Sequence, residues 1–81
     1  MPSNKVYMVS LSVIVPVYNE EKSVEKVLHS VAAESLVSEI IIVDDCSLDN
    51  SVGKINLAIQ SIETLRPELI LKFHQNKKNI G

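Results

Sequence analysis

The chain has 81 residues, a net charge of −2 and 46% hydrophobic residues, which leave room for one small domain and exclude disordered, fibrous and strongly basic nucleic-acid-binding classes. Its one cysteine, Cys46, excludes an internal disulfide and a four-cysteine zinc site and suits a reducing, cytoplasmic setting. No apolar run reaches the roughly 18–20 residues of a membrane span, and the opening MPSNKVYMVS lacks the apolar stretch of a signal peptide.

Residues 1–6 are polar and expected to be flexible. Leu11–Val15, LSVIV, is apolar and β-branched and predicts a first strand, ended by Pro16, which cannot donate to a ladder. Tyr18 and Asn19 form the turn, with Asn19 as the expected N-cap and Glu20 and Glu21 in the first helical turn, where the helix dipole favours negative charge. A helix is expected from about Glu20 to Glu34, because Val24, Val27, Leu28, Val31 and Ala32 recur at helical spacing on one stripe. The second strand is Glu39–Val43. Its run of Ile40, Ile41, Ile42 and Val43 has no polar break and predicts a strand covered on both faces.

Asp49, Asn50 and Ser51 are candidate caps for a second helix over Ser51–Leu65, with Val52, Ile55, Ile59, Ile62 and Leu65 on its apolar face. Gly53 is a weak point in its first turn, and Pro67 stops it by forcing Arg66 out of helical geometry. Leu69–His74 is the third strand, nearer an edge because Lys72 interrupts it, and Gln75–Gly81 is a polar loop. The order β-α-β-α-β with short connections predicts a parallel three-stranded α/β unit, a Rossmann-like half fold with strand order 3-2-1.

Ligands of open α/β sheets bind at the carboxyl ends of the strands, and Asp44 and Asp45 stand there, directly after the second strand. There is no G-x-G-x-x-G, P-loop, G-x-S-x-G, H-E-x-x-H or C-x-x-C, so a nucleotide must be gripped at its base and ribose rather than by a phosphate cradle. Asp45 suits that task as an acceptor for a base N–H or a ribose hydroxyl. The Tyr18 ring can stack on a base, worth about 1–3 kcal/mol. The main-chain groups of Pro16 and Val17 lie at the same sheet edge.

Three stretches, LSVIVPVYNEEKSVEKVLHSV at 11–31, EIIIVDDCSLDNS at 39–51 and HQNKKNIG at 74–81, resemble the amino-terminal segment of family-2 glycosyltransferases, which have the GT-A fold. The resemblance is greatest to the branch that includes the polyprenol-phosphate sugar synthases, and it covers nearly the whole chain. It implies that Pro16, Val17, Tyr18, Asn19 and Glu20 surround a nucleoside. It further implies that Asp45 contacts the base with Asp44 in support, and that Asn79 and Gly81 lie near the nucleotide. The implied activity is transfer of a sugar from a UDP- or GDP-sugar to an acceptor, a glycan or a polyprenyl phosphate at a membrane. The implied cofactor is Mg²⁺ or Mn²⁺, bound through a D-x-D motif further along a full-length protein, so this segment holds no metal and no catalytic residue. Cys46 stands where the family often has Gly or Ala, Leu48 where Thr is usual and Asn50 where Gly is common.

On this reading the chain is the amino-terminal part of a longer domain, incomplete at its carboxyl end and inactive alone. Two readings compete with it. IIIVDD superficially resembles the start of a phospho-receiver, although there the acidic pair follows the first strand. The chain is otherwise an inert fragment with an exposed sheet edge.

Overall fold

The structure is a computed structural model, and it describes residues 10–78. Its elements are β1 (Leu11–Val17), α1 (Val24–Ala32), β2 (Val37–Asp45), α2 (Ser51–Leu65) and β3 (Ile70–Asn76). The three strands form one parallel sheet in the order β1-β2-β3, which is the expected 3-2-1 arrangement with β2 in the centre.

The helices share one face of that sheet. Val15 and Val17 from β1, and Ile40 and Ile42 from β2, meet Val24, Leu28 and Ala32 of α1 and Ile55, Ala58 and Ile62 of α2 in a single buried cluster. Successive residues of a strand point to opposite faces, so the sequence ladder of β2 divides cleanly. Ile40, Ile42 and Asp44 are buried against the helices, while Ile41, Val43 and Asp45 are half-buried on the other face. The expectation that β2 is covered on both faces is therefore corrected for the described residues. Each crossover steps the chain the same way across the sheet, and crossovers of one hand then put both helices on one side. On the opposite side Ile14 is 65% exposed and Ile70 52% exposed. Across that open face Glu39 accepts from the Ser12 hydroxyl at 2.7 Å and pairs with Lys72 at 2.9 Å, joining all three strands.

Element boundaries shift for identifiable reasons. β1 does not stop at Pro16 but runs through it to Val17, with Pro16 opposite Val43. An edge strand tolerates proline because part of its N–H groups face away from the ladder. α1 begins at Val24 rather than Glu20, because the N–H groups of Ser23 and Val24 both donate to the Glu20 carbonyl and close a turn first. Its N-cap position is Ser23, not Asn19, and the Ser23 hydroxyl turns to the Glu20 carboxylate at 3.1 Å.

The last carbonyl of α1 and one just beyond the helix find an unforeseen partner. Arg66, at the far end of α2, donates from Nη1 to the carbonyls of Ala32 and Glu34 at 3.0 and 3.1 Å. α2 has the expected bounds, and a Cβ at Gly53 would meet only the mobile end of the exposed Asn50 side chain. Leu65, placed on the apolar face by its spacing, is 70% exposed at the helix end. β3 is an edge strand, as Lys72 suggested, but it continues through Gln75 and Asn76, which pair with Asp44 and Asp45 rather than starting a loop.

Candidate functional site

β1 and β2 end side by side, with Val17 opposite Asp44, and β3 reaches the same rim with Asn76 opposite Asp45. Two loops leave this rim, Tyr18–Ser23 from β1 and Cys46–Asn50 from β2. Both turn sharply at once. Asn19 has φ 51° and Cys46 has φ 60°, left-handed conformations that cost a residue with a Cβ roughly 1–2 kcal/mol. Asn tolerates this region comparatively well; Cys46 has no such excuse. Cys46→Gly is expected to raise stability by about 0.5 kcal/mol, the relief of strain being partly cancelled by the greater freedom of glycine in the unfolded chain. Cys46→Val is expected to lower it. Thermal unfolding of the two variants checks the sign, and a Gly variant less stable than Cys46 would refute the strain assignment.

The two loops are laced together by side chains. The N–H of Asn19 donates to Ser47 Oγ at 2.9 Å, that of Glu20 to Ser51 Oγ at 2.8 Å and that of Glu21 to Asp49 Oδ2 at 3.2 Å. In return Asn19 Oδ1 accepts from the N–H of Leu48 at 2.7 Å. Asn19 therefore ties the loops together instead of capping α1. Asn50, not Asp49, holds the N-cap position of α2, and Asp49 Oδ1 accepts both the N–H and the hydroxyl of Ser51. Partial burial, the largest single influence on Asp49, raises its pKa. The bonds from Ser51 and Glu21 together outweigh that and hold the carboxyl below the usual carboxylate range.

The acidic pair splits between the two faces. Asp44 points to the helix side and is fully buried, with Ser47 N donating to Oδ2 at 3.1 Å and Ser47 Oγ to Oδ1 at 2.5 Å. Asp45, one residue on, lies on the open-face side, half-buried, where Asn76 Nδ2 donates to Oδ1 at 3.3 Å. Tyr18 is 44% exposed at the same rim. Pro16, Val17 and Glu20 line a cavity of about 270 Å³ between β1 and the start of α1, together with Ser23 and Val24. Asp45 and Tyr18 are not in its lining. Asn79 and Gly81 lie outside the described residues.

Sequence reasoning missed Ser47, and it took Ser51, Asp49 and Asn19 for simple caps. The available signal was the alternation of acids with hydroxyl residues after β2, in D-D-x-S-x-D-x-S.

Among the described residues no group of three or more His, Cys, Asp or Glu is placed to hold a metal ion. None of their helices is long and apolar enough to cross a membrane. The receiver-like alternative does not fit, since the acidic pair ends the second strand and β3 carries no aspartate at its carboxyl end.

Residues 12–81 match the family model described as glycosyl transferase family 2. The chain belongs to glycosyl transferase family 2. The family chain is 38% identical over 77 residues to the poly(ribitol-phosphate) beta-N-acetylglucosaminyltransferase TarS of two Staphylococcus aureus strains, a match covering 91% of this chain and 12% of that protein. Its fold superposes with a TM-score of 0.72 on the mannosyltransferase PcManGT from Pyrobaculum calidifontis, solved with GDP-Man and Mn²⁺. That match is 25% identical and covers 94% of this chain and 22% of the other. The family 2 chain is thus a GT-A-type α/β unit that spans a small part of the length of the relatives it matches. Their names point to no single branch, and the assignment stops at the family.

Proposed function

We propose that this chain is the nucleotide-binding, amino-terminal part of a glycosyltransferase that moves a sugar from a UDP- or GDP-sugar to an acceptor hydroxyl or phosphate oxygen. The carrying observation is Asp45, held at the carboxyl end of the central strand on the open face of a family 2 fold, beside the loop that begins at Tyr18. A carboxylate there accepts from the N–H of a uracil or guanine ring. Tyr18 offers its exposed ring for stacking, and Pro16, Val17, Asn19 and Glu20 border the nucleoside. The GDP-Man complex of the mannosyltransferase supports a nucleotide-sugar donor, and the name of TarS supports a polymeric acceptor.

A divalent cation accompanies the donor in the mannosyltransferase. Among the described residues no cluster of acids is placed to hold such an ion, and two acids of the rim are already committed. Asp44 is buried with both oxygens bound by Ser47, and Asp49 is held by Ser51 and Glu21. On this proposal, cation ligands, catalytic base and acceptor site lie in other parts of a full-length protein, which this segment requires for activity. The unpaired Cys46 agrees with a reducing, cytoplasmic location.

The test is calorimetric titration of UDP and GDP into the full-length protein and its Asp45→Ala variant. A hydrogen bond to a charged group is worth about 1.5–3 kcal/mol, so affinity for the matching nucleotide is expected to fall roughly 10- to 100-fold. Equal affinity of variant and wild type for both nucleotides would show the pocket to be elsewhere.

A further inference from the structure

Three consecutive backbone N–H groups, of Asn19, Glu20 and Glu21, all leave their own turn to bind side chains of the opposite loop. Two of the three acceptors are hydroxyls, and each hydroxyl is itself committed to a carboxylate. Ser47 Oγ donates to Asp44 at 2.5 Å while accepting from Asn19 N, and Ser51 Oγ donates to Asp49 at 2.5 Å while accepting from Glu20 N. A serine hydroxyl has one hydrogen and two lone pairs. Once the hydrogen is drawn to a carboxylate in a short, charge-assisted bond, the lone pairs are fixed in direction. The two relays, carboxylate to hydroxyl to amide, thus specify where the backbone of Asn19 and Glu20 must lie.

The position so specified is an uncommon one, which Asn tolerates better than most residues. Asn19 is left-handed, at φ 51°, and such a conformation persists where the surroundings over-determine it. Asn19 follows Tyr18 directly, and Ser47 lies two residues beyond Asp45. The relay through Ser47 therefore bridges the residue next to the stacking ring and the loop that carries the base-contacting acid.

We infer that Ser47 and Ser51 are positioning residues, which hold the β1–α1 turn in the shape that presents Tyr18 to the nucleoside bound at Asp45. This rests on the nucleotide-site reading above. Neither hydroxyl touches the nucleotide; each acts through the backbone of Asn19 or Glu20.

The experiment measures UDP and GDP affinity and the thermal midpoint of the full-length protein for wild type, Ser47→Ala, Ser47→Thr, Ser51→Ala and Ile62→Val. Ser47 is half-buried, and its threonine variant keeps the hydroxyl while adding one methyl. Ile62 lies in the helix-side core towards the far end of α2 and serves as a stability control. Ser47→Ala and Ser51→Ala are each expected to weaken the matching nucleotide about tenfold. Ser47→Thr is expected to restore affinity to within about twofold, and Ile62→Val to lower the midpoint with no change in affinity. Should Ser51→Ala not fold, the Ser47 pair decides alone. Alanine variants that melt earlier yet bind as tightly as wild type would reduce the serines to structural ties and overturn the inference. Wild-type protein that binds neither nucleotide, or that is indifferent to Asp45→Ala, would instead overturn the nucleotide-site reading, and this inference with it.

Discussion

Ile42→Ala is expected to remove about 3–4 kcal/mol of folding stability, whereas Ile41→Ala, one residue earlier in the same strand, removes less than about 1.5 kcal/mol. Ile42 is fully buried at the middle of the central strand, with Val15 and Phe73 as its register partners and Leu28 and Ile55 in the same cluster. Removing three carbons there leaves a cavity that a close-packed interior closes only in part. Ile41 faces the side of the sheet on which no helix packs, and water or neighbouring side chains fill the gap at small cost. The difference is large on the scale of a small domain, whose whole stability is of the order of 0.05–0.15 kcal/mol per residue. Urea unfolding of both variants measures it through the midpoint at constant slope. Equal losses would mean that both faces of β2 are sealed and that the open face is wrongly assigned.

That comparison also marks where the sequence stops being informative. Four β-branched residues in a row say that Ile40–Val43 is a strand, because nothing else accommodates them so well. They do not say which parity faces the helices, since Ile40 and Ile41 are chemically the same. The order and type of the elements were legible because local signals agree: two β-branched runs, stripes at helical spacing, and Pro67 as a stop. The strand order followed from short crossovers. By contrast, the start of α1 was hidden because it depends on the Glu20 carbonyl receiving two N–H groups. The end of α1 was hidden because its cap comes from Arg66, more than 30 residues away. The same holds at the rim. Asp45 could be singled out from its place after a strand and from the family resemblance, and strand alternation puts it on the opposite side of the sheet from Ile42. The bonds of Ser47 and Ser51 to the β1–α1 turn could not be, because no local pattern reports a partner 28 to 31 residues distant, and Ser51 read only as a candidate cap.

Asp44→Ala is expected to lower stability by about 2–4 kcal/mol, and Asp44→Asn by about 1 kcal/mol. The carboxylate is fully buried and accepts both the N–H and the hydroxyl of Ser47. Among the described residues no buried side-chain polar atom lacks a partner, so its loss would be the first defect of that kind, and the penalty is the desolvation of donors left behind. Alanine strands both Ser47 donors, frees the Ser47 hydroxyl to turn away from Asn19, and opens space beside Val17. Asparagine keeps one acceptor for the Ser47 N–H, and its amide can donate to the hydroxyl, whose second lone pair still meets Asn19 N. The neighbouring acid behaves in the opposite way. Asp45 is half-buried on the open face, and Asp45→Ala is expected to cost less than about 1 kcal/mol of stability while removing most nucleotide affinity. Paired measurements of unfolding free energy and nucleotide Kd for the two alanine variants separate the roles. If Asp44→Ala unfolds at the same denaturant concentration as wild type while Asp45→Ala is the variant that fails to fold, the division of labour between the two faces of β2 is reversed and Asp44 must be the acid that meets the ligand.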